Sequence, residues 1–261
     1  MITTRRQVLA ASVVPVAALA SLLGGAPAAN AATVPAAAAP AAVPAAAVPA
    51  AAPAATPTAA AASAAVLRPG SRGRAVLDAQ KRLTALGYWL GRPDGVYGPA
   101  TMHAVVALQK VAGLSRDGIL GPNTARALRQ GVRPKASTKR GYAIEIDLKR
   151  QVLLVVRTGY VRMIFDASTG SGEYYTVRGV RKHAVTPRGV YRVFRSVNGW
   201  DPGPLGRLYR PRYFNGGIAV HGYPSVPPRP ASHGCVRVTI GAMDFLWNNK
   251  LLPIGRTVVV R

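Results

Sequence analysis

The sequence predicts an α+β multidomain chain, a small three-helix bundle followed by a mainly-β domain of β-sandwich or barrel-like form. Three observations predict it. Apolar residues recur at helical spacing between Leu67 and Gly131, and short alternating segments fill Gly141 to Arg261. Ahead of both lies a stretch of Ala and Pro that can bury no core.

In the helical part, Val76, Ala79, Leu83 and Leu86 share one face, as do Met102, Val105, Val106 and Leu108 with Val111 beyond. A third short helix is expected from about Asn123 to Arg129. Two similar turns precede the second and third helices. They are Asp94-Gly95-Val96-Tyr97-Gly98-Pro99 and Asp117-Gly118-Ile119-Leu120-Gly121-Pro122, 23 residues apart. Each pairs an Asp-Gly turn with a proline suited to the first turn of a helix. This internal repeat implies a pseudo-symmetric bundle.

In the strand part, Tyr142–Leu148 alternates apolar and polar residues, Val152–Arg157 follows the turn at Lys149-Arg150, and Tyr160–Phe165 follows Thr158-Gly159. Further strands are expected at Gly189–Phe194, Ile218–His221, Val236–Thr239 and Thr257–Val260. One helix over about Ala242–Asn249 would turn Met243, Leu246 and Trp247 inward.

The first 31 residues read as an export signal. Arg5 and Arg6 precede an apolar run from Val8 to about Leu23, and Ala29-Asn30-Ala31 offers a small-residue cleavage site. The run Thr4-Arg5-Arg6-Gln7-Val8-Leu9 resembles a twin-arginine signal. A membrane anchor is the competing reading, but Pro15 interrupts the apolar run, so no stable insertion is expected after cleavage. Residues 32–65 hold 21 Ala and 6 Pro in 34 positions and no charge. They should form a semi-rigid spacer reaching up to ~100 Å if polyproline-like. The domain plan is therefore signal 1–31, spacer 32–65, helical module 66–131, linker 132–140 and strand domain 141–261.

Charge narrows the partners. The chain carries 34 Lys or Arg against 9 Asp or Glu, a net charge of +25. Such a protein is drawn to a polyanion, be it a cell wall or a nucleic acid. An export signal and the lack of a nucleic-acid motif favour the wall. One cysteine excludes an internal disulfide framework and a Cys-rich zinc site. No metal or other cofactor is expected, since no spare Asp or Glu ligands stand near the histidines described next. A monomer is expected.

That cysteine carries the chemistry. Ile218-Ala219-Val220-His221-Gly222 is followed by Ser232-His233-Gly234-Cys235-Val236-Arg237. A thiol becomes a strong nucleophile on losing its proton, and an imidazole is the natural base. Gly234 permits a tight turn, so amides around Gly234 and Cys235 can face a developing oxyanion. With no Asp or Glu nearby, a backbone carbonyl is expected to orient the histidine. The residues alone give a Cys-His acyl-transfer site, with an inert buried thiol as the alternative. His103 and His183 are expected to face solvent.

Two resemblances sharpen this. Leu67 to Gly131 resembles the three-helix peptidoglycan-binding domain, through Gly70-Ser71-Arg72-Gly73, Leu86-Gly87-Tyr88, both Asp-Gly turns and Ala107-Leu108-Gln109. It departs at Leu108, where the family usually has Phe, and at Ala79-Gln80, commonly Leu-Gln. Residues 141–261 resemble the L,D-transpeptidase (YkuD-like) catalytic domain, through His221-Gly222, Ser232 to Arg237, Thr186-Pro187-Arg188-Gly189 and Ala167-Ser168-Thr169-Gly170. Only ten residues separate His221 from Ser232, fewer than is commonest in the family, and Pro224, Pro227, Pro228 and Pro230 stiffen them.

The resemblance implies that Cys235 is the nucleophile and His221 the general base. Gly222, Ser232, His233, Gly234 and Arg237 would shape the site, support the oxyanion or hold a substrate carboxylate. It implies a cysteine peptidyltransferase making 3→3 peptidoglycan cross-links, acting in wall organisation and cell shape, exported and wall-associated in a Gram-positive setting. An L,D-carboxypeptidase would share every motif. A non-catalytic wall-binding protein is the reading from a different class.

Overall fold

The computed structural model describes residues 66–261, so the export signal and the Ala/Pro spacer lie outside the described residues. Helix α1 spans Arg74–Ala85, α2 Pro99–Ala112 and α3 Pro122–Gln130. Pro99 and Pro122 open their helices, where a missing N–H costs nothing, and Gly113 and Gly131 close them in the left-handed conformation.

The sequence repeat has a physical basis in two buried glutamines. The Gln80 amide donates to Asp94, Val96 O and Thr101, while its oxygen accepts the Asp94 and Gly95 amides. Gln109 treats the second turn alike, donating to Asp117, Ile119 O and Thr124 and accepting from Gly118 N–H. Each glutamine thus satisfies the backbone of a turn that would otherwise bury unpaired polar groups.

The strand domain runs β1 (Tyr142–Asp147), β2 (Val152–Arg157), β3 (Tyr160–Asp166), β4 (Tyr174–Val177), β5 (Val180–His183), β6 (Gly189–Arg192), β7 (Arg195–Ser196), β8 (Trp200–Gly203), β9 (Gly206–Asn215), β10 (Ile218–Tyr223) and β11 (Val236–Thr239). Helix α4 (Ile240–Asn248) and β12 (Thr257–Val260) complete it. One sheet has the order β3-β2-β1-β12-β6, and a second has β11-β10-β9-β7 with β8 also paired to β9. Strands β1 and β12 pair in parallel, as do β10 and β11; the other neighbours are antiparallel. Both sheets are open, which makes a sandwich rather than a closed barrel.

The centre of the first sheet is buried on both faces, and strand β2 shows why Val152 to Val156 are uniformly apolar. Val152, Leu154 and Val156 join the helical module's core with Val76, Leu83 and Leu108. Leu153 and Val155 point the other way, into a core shared with Val220, Val236, Met243 and Leu246. Trp247, expected inward, is only half-buried, its ring lying under the Arg212 guanidinium at 3.6 Å.

The helical module also completes the sheet edge. Trp89 N–H donates to Ile164 O at 2.9 Å and Ile164 N–H to Gly87 O at 2.8 Å, which covers the open side of β3. Tyr88 is buried and its hydroxyl bonds Val132 O, while Trp89 stacks on Phe165 with centroids 5.6 Å apart. Residues 132–140, expected as a linker, are strapped down. Ser137 and Thr138 amides donate to the buried Glu145, which also pairs with Arg261. Burial alone would raise the Glu145 carboxyl, but these donors outweigh it and hold it below its ordinary value.

Gly87 marks where this fit is tightest, with φ +85° and a position for Cβ only 2.9 Å from Arg162 O. Gly87→Ala should cost roughly 2–4 kcal/mol of stability, combining left-handed strain with a backbone clash. Gly91→Ala is the control, because Gly91 has φ +79° and nothing within 4 Å. In urea unfolding the first loss should exceed the second; equal losses would show that this edge is loosely packed.

Candidate active site

Parallel pairing of β10 with β11 builds the site. The register sets Val220 beside Val236 and His221 beside Arg237. Side chains alternate along a strand, so Val220, Val236 and Val238 enter the core while His221, Tyr223 and Arg237 share the opposite face. Cys235 stands one residue before β11, and the register that pairs Val220 with Val236 sets it beside Ala219. Gly222 is small because a Cβ there would lie 2.9 Å from the Tyr209 ring and 3.0 Å from Met243 Cβ on α4.

His221 is 3% exposed and its Nδ1 lies 2.9 Å from its neighbour's carbonyl, Gly222 O. A carbonyl only accepts, so Nδ1 carries the proton and Nε2 keeps a free lone pair. The expected backbone orienter is therefore in place. Cys235 is half-buried, with its thiol donating weakly to Gly217 O at 3.7 Å.

The loop before Cys235 is shaped by hydroxyls. Ser232 Oγ donates to Cys235 O at 2.5 Å and accepts from Gly234 N–H at 3.0 Å. Thr186 Oγ1 donates to Gly234 O at 2.7 Å. Of the two amides expected to face an oxyanion, that of Gly234 is thus already bonded. Gly234 itself takes φ +131°, and a Cβ there would sit 2.9 Å from Val185 O. His233 is exposed, its ring edge-on to Tyr175 at 4.6 Å. Arg237 lies over the Tyr223 ring at 4.3 Å.

His221, Ser232, His233, Cys235 and Arg237 line one cavity of about 540 Å³. The β4–β5 hairpin borders it with Tyr175 and Lys182, and the β8–β9 hairpin with Leu205 and Arg207. Lys182, Arg195, Arg207 and Arg237 face one carboxylate, Asp201, which Arg195 and Tyr213 already bond. The site is cationic and suits a substrate bearing carboxylates.

Sequence reasoning missed both hairpins. Strands β4 and β5 are largely exposed, so no apolar alternation announces them, and their turn uses Arg178 at φ 49° before Gly179. An Arg-Gly turn of this kind is a weak hairpin signal beside Asn-Gly. Of the two histidines expected in solvent, His183 is exposed, though it bonds Gly172 O and stacks on Tyr174. His103 is not. It is largely buried against the strand domain, with Nδ1 2.7 Å from Asp166 Oδ2.

Burial depresses His221 to about 4, with Arg237 adding to the effect and the Gly222 bond opposing it. Burial also pushes the Cys235 thiol up, opposed by the nearby Ala219 backbone and by Arg237. Both shifts favour neutral thiol beside neutral imidazole over a resting thiolate–imidazolium pair.

Two family models match the chain, the peptidoglycan binding domain over residues 72–128 and the L,D-transpeptidase catalytic domain over 141–260. A solved L,D-transpeptidase from Xylanimonas cellulosilytica is 47% identical, with TM-score 0.73, covering 75% of this chain and 97% of that one. A probable N-acetylmuramoyl-L-alanine amidase of Bacillus licheniformis is 48% identical over 68 residues, 25% of this chain and 19% of that protein. A spore cortex-lytic enzyme of Bacillus cereus is 35% identical over 76 residues, 29% of each. This chain therefore spans less than a third of either curated relative.

The His221 shift has a stability consequence. Unfolded, the imidazole takes a proton below about pH 6.5; folded, it resists down to about pH 4. Its stabilisation is complete above the higher value and is lost as pH falls toward the lower, by about 3 kcal/mol. Urea unfolding of wild type against His221→Gln should show wild type losing ground on acidification. Parallel curves would mean that the imidazole is not desolvated.

Proposed function

We infer the function of this chain from its family, for it belongs to the L,D-transpeptidases. We propose that it is an exported, wall-associated cysteine peptidyltransferase forming 3→3 cross-links between peptidoglycan stems. The observation that carries this reading is one cationic cavity holding Cys235 and a neutral His221 whose Nε2 is free to take a proton.

The steps follow from that arrangement. Cys235 Sγ attacks the carbonyl carbon of the third stem residue while His221 Nε2 accepts the thiol proton, because the resting pair is neutral. The Cys235 amide is the donor assigned to the oxyanion, since the Gly234 amide is held by Ser232. Collapse breaks the peptide bond, and the imidazolium proton leaves with the amine of the terminal D-alanine. An amine from a neighbouring stem then attacks the thioester, giving its proton through His221 back to the sulfur. Arg237 supplies a fixed positive charge for a substrate carboxylate, and an anion bound there would also ease protonation of His221.

The helical module is assigned to peptidoglycan binding, with the Ala/Pro spacer and twin-arginine-like leader placing the folded part at the wall. No helix among the described residues is long and apolar enough to cross a membrane.

Incubating the chain without residues 1–31 with purified disaccharide-tetrapeptide and reading product masses tests this. Cross-linked dimers that fall by at least ~10³-fold in Cys235→Ala are expected, with binding to wall sacculi retained. Tripeptide monomers alone would make the enzyme a carboxypeptidase. No turnover from a folded, sacculus-binding protein would leave only a binding role.

A further inference from the structure

Lys110 belongs to α2 of the helical module, yet its amine is fully buried against the strand domain. All three of its protons are used. Nζ bonds Asp166 Oδ1 at 2.5 Å, Ala167 O at 2.7 Å and Gln151 O at 3.1 Å. The other oxygen of Asp166 takes His103. A surface module would not bury a lysine to stay attached, because apolar contacts hold more strongly for less desolvation. What the amine holds is the start of a particular segment.

That segment, 167–171, is the support from which the Cys235 loop hangs. Ser168 and Arg237 exchange both backbone bonds, at 3.0 and 2.8 Å. Thr169 O accepts from the Ala231 and Ser232 amides, and Ser171 N–H donates to Ser232 O. On its other side the segment is tied by Gln151, whose side chain bonds both Thr169 N–H and Thr169 Oγ1. Lys110 closes this arrangement from the neighbouring module, bonding both the segment and the Gln151 backbone.

We propose that Lys110 is a positioning residue for the Cys235 loop, so that the helical module, beyond any targeting role, sets the geometry of the nucleophile. The catalytic part of this proposal rests on the transpeptidase reading; the reactivity of the thiol does not. Loss of the amine frees the segment, and the loop with it, to shift relative to His221. The sulfur then gains water, so the thiol ionises more readily while the aligned attack is lost.

The test compares the full chain with Lys110→Met/Asp166→Asn, which removes both charges and leaves neither buried alone. Lys81→Met, at an exposed lysine of the same module, is the control. Alkylation of Cys235 by iodoacetamide is followed from about pH 6 to pH 10. The steady-state constants on disaccharide-tetrapeptide and the retention on sacculi are also measured. The double variant should alkylate along a profile moved to lower pH, with kcat down at least about tenfold, KM little changed and sacculus retention intact.

An alkylation profile and kcat that superimpose on wild type in a cooperatively melting variant would overturn the proposal. So would sacculus retention falling in step with kcat, which would assign Lys110 to the folding of its own module. Should the double variant not fold, Lys110→Gln, which keeps part of the bonding, is read by the same criteria. Wild type that alkylates at Cys235 but turns over no tetrapeptide would sink the transferase reading, and the alkylation profile would then decide positioning alone.

Discussion

Parallel pairing between Ile218–Tyr223 and Val236–Thr239 is the constraint on which the site depends. Side chains alternate with a period of two, so a slip of one residue would drive His221 into the core and turn Val220 toward the cavity. Three things hold the register. Val220, Val236 and Val238 are fully buried. Gly222 sits where α4 leaves no room for a side chain, and the 167–171 segment ties down the loop entering the second strand. Cys235 and His221 are therefore placed by the packing of residues that take no part in the proposed chemistry.

Electrostatics then decide how that placement is used. The cavity is rich in guanidinium and ammonium groups, and the imidazole is buried among them. A positive surround disfavours a protonated histidine, and burial disfavours both charged partners. Both effects favour an uncharged thiol and imidazole at rest, so in the proposed reaction charge separates only as the bond to sulfur forms. A neutral thiol also resists oxidation better than a thiolate, which would serve the exported role proposed above.

Much of this was legible in the sequence, for identifiable reasons. The helix starts at Pro99 and Pro122 and the strands β2, β11 and β12 announced themselves through local chemistry, and the His-Gly and Ser-His-Gly-Cys spacing pointed to a site. What was not legible depends on long-range contact. Nothing near His103 or Lys110 says that Asp166 waits across the module boundary. Gln80 and Gln109 were visible as motif letters, while their work, clasping two turns, needed coordinates. The flanking hairpins were missed because exposed strands need no apolar alternation. The Gly234 amide looked available until the Ser232 hydroxyl was seen to occupy it.

The shared face of the first sheet has a consequence for how such chains can be recombined. Val152, Leu154 and Val156, together with the open edge of β3, are covered by the helices and by Gly87–Trp89. A fragment beginning at residue 141 would leave that face and edge bare, the combination through which sheets associate with one another. Joining the cysteine-bearing half to another N-terminal module would therefore leave a piece prone to association unless the three helices travelled with it. The junction between the modules is a boundary in sequence and an interior in the folded chain.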